Sequence, residues 1–390
     1  MSAMRGLFRS RAVPDEDIGA IAQDASIYAR WDGGETEQDA HIEQEYRGYI
    51  ARKIAFMIVF AVLSFIAGGL VITYGDYPLD FFEVYGIIWD HILHGPPEDP
   101  IEFLKDHVVW SLRLPRVLVA LIAGFGFAVA GAVMQSTLKN PMADSYTTGV
   151  SSGAAFGATV SIVAGFTLFG SGVGILVNAF VFSLVPTFLI VVVSRMRNMS
   201  STSMILAGLA VMYIFNALTS ALKLIADPDA LASLYRWQVG SLNNMLWADV
   251  PVMLAVTAAG SIAIMFLSRR INLLASGDES AKSLGVDANR LRIVCLVTVS
   301  LITASIVSFT GTIGFVGLVS PHIARIFIGS DNRYLIPASA FFGAFLLLIS
   351  DFIGRAAFAP TVLEVGVVTA FIGGPLFLYL IIRQRKEVWT

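Results

Sequence analysis

The sequence predicts an all-α, polytopic membrane protein with about ten transmembrane helices. Hydrophobic residues make up 56% of the 390 positions and charged residues only 14%, so too little polar surface is present to cover one soluble domain of this size. Apolar runs of about the length needed to cross roughly 30 Å of hydrocarbon recur along the chain. The formal net charge of -3 and the lack of a basic stripe argue against a nucleic-acid-binding protein.

Two regions differ in composition. Residues 1–50 are predicted to form a polar cytoplasmic extension, and residues 51–390 the transmembrane domain. The extension holds ten acidic residues and five Arg, and it lacks the features of a signal peptide. Its first eleven residues fit either a disordered tail or a segment that touches the membrane through Leu7 and Phe8.

Eight long apolar runs and two weaker Gly-rich stretches give the predicted spans. The long runs lie near residues 53–74, 114–137, 174–194, 203–225, 250–268, 293–313, 335–351 and 364–382. The weaker stretches, 146–166 and 314–329, are shorter and are broken by Ser, Pro or His. Small residues within the spans, such as Gly124 and Gly131, predict close helix packing.

Lys and Arg indicate the orientation, because they collect on the cytoplasmic side of membrane proteins. With the amino terminus inside, the inner loops carry most of the basic residues. The segment 75–110 is then an external loop, which is acidic and has Lys105 as its only basic residue between positions 76 and 106. Ten spans place both termini in the cytoplasm and the protein in a plasma (inner) membrane.

One long polar loop, residues 268–292, separates two blocks of spans. Pairs of Arg stand at both of its ends, and its middle is predicted to form two short helices around Gly277 and Gly285. A polar loop of this kind is expected in a membrane protein that is moved by a soluble partner. The sequence contains no GxxxxGK[ST] phosphate loop, so the chain itself is not expected to be an ATPase or any other enzyme.

Four stretches, distributed along the chain, resemble one known family. They are RLPRVLVALIAGFGFAVAGAVMQSTLKNPMADSYTTGVSSGAAFGA from Arg113, MSSTSMILAGLA from Met199, ESAKSLGVDANRLR from Glu279 and GFVGLVSPHIARIFIGSDNR from Gly314. Over roughly residues 50–386 the chain resembles the FecCD-type permeases, the transmembrane subunits of ABC importers for iron siderophores, haem and cobalamin. The resemblance implies a cobalamin-importer-like permease fold.

The resemblance also implies partners. These are a second copy of the chain in a homodimer, two ATP-binding-cassette ATPase subunits, and a periplasmic or lipid-anchored substrate-binding protein. Membrane lipid is also expected to contact the chain. No cofactor is expected on this chain, and ATP and Mg²⁺ are expected on the partner ATPase.

Three arginines match the family positions that receive carboxylates of the binding protein. They are Arg113, Arg116 and Arg355. Arg113 and Arg116 are three residues apart and so face one way on a helix. The alternative is that they anchor the helix by reaching toward lipid headgroups. Asp351 lies one turn from Arg355 and could pair with it.

Part of the 268–292 loop matches the family's coupling helices, which are seated in a cleft of each ATPase. The matching residues are Asp278, Glu279, Ala281, Lys282, Leu284 and Gly285. The apolar Ala281 and Leu284 are expected to insert into the ATPase. A solvated loop without a partner is the alternative.

The translocation pathway is expected between two copies of the chain, lined by the fifth span. The pathway face is predicted to carry Met204, Met212, Phe215 and Asn216. Ser201, Thr202 and Ser203 match the inner gate, although three such residues before an apolar helix equally fit a helix N-cap.

Two features depart from simple expectations. Where the family often has a Glu two residues after a Pro at the start of the last span, this chain has Val362, and its carboxylate is Glu364, which leaves the role of Glu364 open. His91, His94 and His107 share the external segment, but without a recognisable third ligand no metal site is predicted.

The sequence therefore predicts an ATP-driven importer permease for an iron chelate, a siderophore being preferred on prevalence alone. Haem and cobalamin are the alternative substrates. A secondary transporter is disfavoured because the spans offer no buried Asp, Glu or Lys as an ion site. A non-transporting membrane scaffold is the third class.

Overall fold

The computed structural model describes residues 37–75, 77–170, 173–197, 200–357 and 361–383. Within these ranges the regular structure is entirely helical. The chain divides into two compact units, residues 1–52 and 53–390. The predictions for the first 36 residues, including a membrane contact through Leu7 and Phe8, lie outside the described residues.

Fourteen α-helices are present in the described residues. They are α1 (Glu37–Thr73), α2 (Phe81–His94), α3 (Pro100–Asp106), α4 (Leu114–Leu138), α5 (Val150–Ala164), α6 (Gly174–Arg197), α7 (Ser201–Lys223), α8 (Pro228–Val239), α9 (Asp249–Ala275), α10 (Asp278–Ser283), α11 (Ala288–Thr310), α12 (Val316–Ile328), α13 (Asn332–Ala356) and α14 (Val365–Arg383). Ten of them, α1, α4 to α7, α9 and α11 to α14, coincide with the ten predicted spans. Seven are long and apolar enough to cross a membrane, whereas α5, α12 and α14 are shorter. The prediction of an all-α polytopic bundle is confirmed.

Segment 75–110, predicted to be an external loop between two spans, contains two α-helices and a π-helical segment. Asp80 caps α2, and its backbone N–H donates to the Glu83 side chain, which completes a capping box. Asp99 caps α3, and Pro100 stands in the first turn. A π-helical segment, His107–Arg113, then joins α3 to α4. The segment is therefore a structured hairpin on the bundle.

The predicted loop 268–292 is shorter than expected. Helix α9 continues to Ala275, and α11 begins at Ala288 after the N-cap Asp287. Only residues 276–287 lie between them, and they contain one short helix, α10, where two were predicted. The apolar run was read as ending at the charged residues of α9, but a spanning helix can extend past the hydrocarbon into water.

Helix α4 lies at the centre of the bundle and packs on α9, α11, α12 and α13. The contacts depend on small residues. A Cβ atom on Gly124 would overlap the backbone of Gly343 in α13, and one on Gly131 would overlap the carbonyl of Gly317 in α12. In lipid, where helices gain little from hydrophobic burial, such close backbone approach supplies the packing energy.

The bundle has two ends, named here by the aspartate at each. The Asp278 end is where α4 finishes and α10 lies. The Asp351 end is where α4 begins and α13 finishes. Because α4 runs from one end to the other, residues of the two ends lie on opposite sides of a membrane.

Candidate functional site

At the Asp278 end, α10 is tied to the bundle through its first residue. Asp278 Oδ1 accepts hydrogen bonds from Arg292 Nη2 at 2.6 Å and from Lys139 Nζ at 3.2 Å. Arg292 is buried in the first turns of α11, and its Nε donates to the Thr137 carbonyl at 3.2 Å. Because Thr137 and Lys139 lie at the end of α4, this cluster fixes α10 to both α4 and α11.

The two apolar residues predicted to enter an ATPase have different surroundings. Leu284 is 63% exposed, immediately after α10. Ala281 is 0% exposed and belongs to the chain's own hydrophobic core. The expectation that Ala281 inserts into a partner does not agree with this burial, because its methyl group already packs in the chain's own core. Leu284 alone is available for such a contact.

The other predicted coupling residues surround Leu284. Glu279, Lys282 and Gly285 are exposed. Gly285 has a φ of +80°, a conformation that favours glycine and that turns the chain out of α10. The result is a fixed turn of helix that presents one large apolar side chain among charges.

The Asp278 cluster predicts a pH dependence. The hydrogen bond from Arg292, together with the one from Lys139 and against the effect of burial, lowers the pKa of the Asp278 carboxyl from its ordinary value of 3.8. A lowered carboxyl pKa stabilises the folded form above the ordinary value, and this stabilisation is lost as the pH falls through the lowered one. We expect hydrogen-exchange protection of residues 276–287, corrected for intrinsic rates, to be constant near neutral pH and to fall only below about pH 4. Asp278→Asn should show low protection at every pH, and equal protection in the two proteins would contradict this role.

At the Asp351 end, two of the predicted docking arginines share one buried carboxylate. Arg116 Nη2 and Nε donate to Asp351 at 2.7 and 3.0 Å, and the Asp351 side chain is 1% exposed. Arg355 Nε lies 3.4 Å from the same carboxylate, which confirms the expected local pair. Arg355 Nη2 also donates to the Val71 carbonyl at 3.1 Å. The side chains of Arg116 and Arg355 are only 17% and 14% exposed.

Arg113, the third predicted docking residue, is bonded to the end of α1 and the segment after it. Its Nη1 donates to the Ile72 carbonyl at 2.5 Å and its Nη2 to the Tyr77 carbonyl at 3.0 Å. All three arginines therefore have partners within the chain. A carboxylate of another protein could reach them only by sharing or replacing these contacts.

Asn243 extends this network to Glu364, whose role the sequence left open. Asn243 Oδ1 accepts from Arg116 Nη1 at 2.6 Å, and its Nδ2 donates to both Glu364 carboxylate oxygens at 3.0 Å. The amide thus stands between a guanidinium and a carboxylate and satisfies both. Glu364 lies directly before α14, so the network joins α4, α13 and α14 through one loop residue.

The Asn243 amide predicts a stability effect. Asn243→Ala leaves part-buried polar groups of Arg116 and Glu364 without this partner, and such groups cost about 1–3 kcal/mol each when unsatisfied. We expect a thermal midpoint lowered by several degrees in detergent. Glu364→Gln is the milder comparison, because a Gln carbonyl can still accept from Asn243. If Glu364→Gln lowers the thermal midpoint as much as Asn243→Ala or more, Asn243 is not the residue that holds this network together.

The expectation that the spans contain no buried acid is wrong. A secondary transporter was disfavoured for lack of a buried acid in the spans, yet Asp351 is a buried acid in α13. Its charge is matched by Arg116 and Arg355, so the site is a closed ion-pair cluster. A carboxylate that already holds two guanidinium groups is a poor site for a coupling cation.

Helix α7, the fifth span, is largely exposed in the single chain. Of its most apolar 18 residues, only 17% are buried. Two residues predicted to face the pathway do not lie on its exposed surface. Met204 and Phe215 are buried within the chain, and the Phe215 ring packs against Phe156 of α5 at 5.5 Å. Met212 and Asn216 line a cavity on the same helix, and their place on a translocation pathway stays a prediction. Helical periodicity alone could not distinguish which face turns inward.

The predicted gate residues, Ser201, Thr202 and Ser203, are the first three residues of α7, and the N-cap of this helix is Ser200. Ser200 accepts a hydrogen bond from the Ser203 N–H at 3.2 Å. The capping explanation therefore applies to Ser200, which leaves the side chains of Ser201 and Thr202 free for another role.

A polar cavity of about 600 Å³ lies along α7 toward the Asp351 end. Its wall is rich in hydroxyl and amide side chains and includes one lysine. Residues that supply this polarity include Thr147, Ser152, Asn216, Ser220, Gln238 and Thr312. Lys223 stands at the end of α7, where its Nζ donates to Gln238 Oε1 at 2.9 Å. This cavity could not be predicted from the sequence, because its residues come from four separate segments, 146–155, 209–223, 238 and 312.

Histidines of the 75–110 hairpin have contacts within the chain. His91 Nδ1 lies 2.7 Å from Asp106 Oδ1, and its ring stacks on Trp110 at 4.0 Å. Trp247 Nε1 donates to the Trp110 carbonyl at 2.8 Å, which joins the hairpin to the segment before α9. His91 thus helps to seat the hairpin on the bundle.

Comparisons with known proteins agree with this architecture. The model of the FecCD transport family matches residues 56–383. The hemin transport system permease protein of Yersinia pestis is 37% identical over 283 residues, 72% of this chain and 85% of that protein. The cobalamin import system permease protein of Halobacterium salinarum is 38% identical over 280 residues, 72% of this chain and 74% of that protein.

A solved structure described as an inward-facing, metal-chelate type ABC transporter has a TM-score of 0.73 at 29% identity. The match covers 84% of this chain and 99% of that one. The family match spans most of the chain, and the helices coincide with the predicted spans. The chain therefore belongs to the FecCD transport family of ABC importer permeases.

Proposed function

We propose that this chain is the transmembrane subunit of an importer that moves an iron chelate into the cytoplasm. Two copies form a homodimer around the pathway, two ATPase subunits bind ATP and Mg²⁺, and a substrate-binding protein delivers the chelate. The Asp278 end faces the cytoplasm. The observation that carries this proposal is Leu284, exposed on a short helix whose first residue is held by Arg292 and Lys139.

A fixed, exposed apolar residue suits a coupling contact. A few well-packed residues near the centre of an interface supply most of its binding energy, and Leu284 is the one large apolar side chain that α10 and the turn after it expose. Movement of an ATPase against Leu284 would be transmitted through α10 to α4 and α11, because ion pairs and buried contacts link them. Glu279, Lys282 and Gly285 flank the anchor, where charged groups set register rather than affinity.

At the Asp351 end we assign binding-protein docking to Arg113, Arg116 and Arg355. The guanidinium groups of Arg116 and Arg355 can each donate more hydrogen bonds than the contacts described above use. An incoming carboxylate would therefore compete with Asp351 for Arg116 and Arg355. Docking is then expected to loosen the junction of α4, α13 and α14, where Glu364 and Asn243 also meet.

The polar side chains of the cavity along α7 support an iron chelate as the substrate. Its hydroxyl and amide groups and Lys223 can bond the oxygen atoms of such a chelate, and the apolar remainder of the wall can contact the chelate's hydrocarbon parts. Ser201, Thr202 and Ser203 are assigned to the inner gate, with Met212 and Asn216 on the pathway. Haem and cobalamin are the second candidates, supported by the names of the two relatives.

The test is reconstitution of the dimer in proteoliposomes with its ATPase and its binding protein. We expect no ATP hydrolysis by this chain alone, and ATP-dependent uptake of a ferric hydroxamate when all three components are present. Titration of the binding protein with ferric hydroxamate, haem and cobalamin then ranks the substrates. Uptake driven by a proton or sodium gradient without the ATPase would refute the proposal.

A further inference from the structure

In the described part of the wall of the polar cavity along α7, Lys223 is the one charged residue. It is the last residue of the helix, and the other groups of the wall are hydroxyl, amide, phenol and apolar side chains. The cavity therefore holds one positive charge, and no carboxylate lines it within the described residues. A cleft with charge of one sign attracts groups of the opposite sign.

Neutral groups hold the Lys223 ammonium. Its Nζ donates to Gln238 Oε1 at 2.9 Å and lies 5.1 Å from the centre of the Tyr235 ring. Asp227, the nearest acid along the chain, caps α8 by accepting from the Ala230 N–H at 2.8 Å. Since an ammonium has three N–H donors, the contact with Gln238 leaves two for a ligand.

Gln238 is fixed by its own contacts, so the ammonium has a defined position. The Gln238 main-chain carbonyl accepts from Thr312 Oγ1, and Thr312 also lines the cavity. Tyr146, another residue of the wall, donates to the neighbouring Ile313 carbonyl. A lysine at the end of a spanning helix commonly reaches toward the lipid headgroups, but the Lys223 ammonium lies against Gln238 in the cavity wall.

The residues of α7 that line the cavity follow one face of the helix. At steps of three or four positions they include Met212, Asn216, Ser220 and Lys223. Lys223 lies about 16 Å along the helix from Met212. Because the cavity lies toward the Asp351 end, a substrate that enters there would meet the ammonium before the uncharged groups.

We propose that Lys223 determines which substrates the cavity prefers, by binding an anionic oxygen such as a carboxylate of the chelate. A carboxylate at this position would accept a charge-assisted hydrogen bond from the free donors of the ammonium. A neutral chelate offers weaker acceptors and gains less. This inference rests on the proposed function, in which α7 lines the pathway.

The test compares two ferric hydroxamates that bind iron in the same way and differ in charge. Ferrichrome is neutral, whereas ferrichrome A carries free carboxylates. The full chain is purified in detergent and dialysed to equilibrium against each chelate, labelled with radioactive iron. We expect roughly fivefold tighter binding of ferrichrome A at low salt, as one charge-assisted hydrogen bond would give, and a smaller ratio at high salt. Equal binding of the two at low salt, binding of neither, or a ratio that salt does not change would overturn the proposal.

Three variants separate the ammonium from the general charge of the chain. Lys223→Gln keeps a donor for Gln238 but removes the charge, so the preference should disappear while ferrichrome binds as before. Lys223→Arg should keep the preference. Arg236→Gln removes the same charge from an exposed position of α8 outside the cavity wall, and it should also keep the preference.

If Lys223→Gln has an unchanged thermal midpoint and still prefers ferrichrome A, Lys223 has only a structural role. Should Lys223→Gln fail to fold, Lys223→Met is measured in its place. Reconstituted uptake separates this inference from the proposed function. ATP-driven uptake together with charge-blind binding would refute only the role of Lys223, whereas the absence of ATP-driven uptake would refute the proposed function itself.

Discussion

Replacing Leu284 with Asp is expected to abolish ATP-driven uptake while the helical bundle stays folded. Leu284 is exposed, so a carboxylate there is solvated in the isolated chain and costs little stability. In an ATPase cleft the same carboxylate would be desolvated without a partner. Loss of a central apolar anchor typically costs 2 kcal/mol or more, which predicts at least about a thirtyfold loss of coupled uptake.

The measurement is uptake by reconstituted vesicles, with the thermal midpoint of the purified variant as the test of folding. Ser283→Asp is the matched control, because it places the same charge on the neighbouring exposed residue and leaves the anchor intact. Leu284→Met should keep most of the activity. Full uptake by Leu284→Asp would contradict the proposed coupling contact.

Replacing Gly131 with Ala is expected to prevent correct assembly of the bundle. The added Cβ would overlap the carbonyl of Gly317. The position of a Cβ is fixed by its own backbone, and the carbonyl belongs to the backbone of α12, so no side-chain rotation relieves the clash. Insertion of a methyl group into a packed core typically costs about 1–3 kcal/mol, and a clash with backbone lies at or above the upper end. Helix α12 would have to move away from α4.

Gly86→Ala provides the control for this prediction. Gly86 lies in α2, and a Cβ there meets nothing within 4 Å, so the substitution should be neutral or slightly stabilising. The yield of folded protein in size-exclusion chromatography and the thermal midpoint distinguish the two variants. A Gly131→Ala protein with the thermal midpoint of the original would show that α4 and α12 are not held at the distance observed.

The positions of the spans could be predicted from the sequence because they depend on local hydropathy. The two weak stretches, 146–166 and 314–329, correspond to the short helices α5 and α12. The short helices α2, α3 and α8 were not predicted, although they had local signals. Asp80 with Glu83 forms a capping box, and both Asp99 before Pro100 and Asp227 before Pro228 are N-cap signals.

The contacts at the candidate sites could not be predicted, because they join residues that are distant in sequence. Arg116 and Asp351 are 235 positions apart, and Asn243 and Glu364 are 121 apart. The sequence identified Arg116 as important but not its partner. The burial of Ala281 likewise depends on which face of α10 meets the bundle, and six residues show no periodicity that decides it.

The account depends most on the side of the membrane that Leu284 faces. Cys295 is the chain's single cysteine and is buried, so a Leu284→Cys variant places one accessible thiol on the protein. A membrane-impermeant maleimide should label this variant in inside-out vesicles and not in intact cells. Labelling in intact cells would place the Asp278 end outside and contradict coupling to a cytoplasmic ATPase.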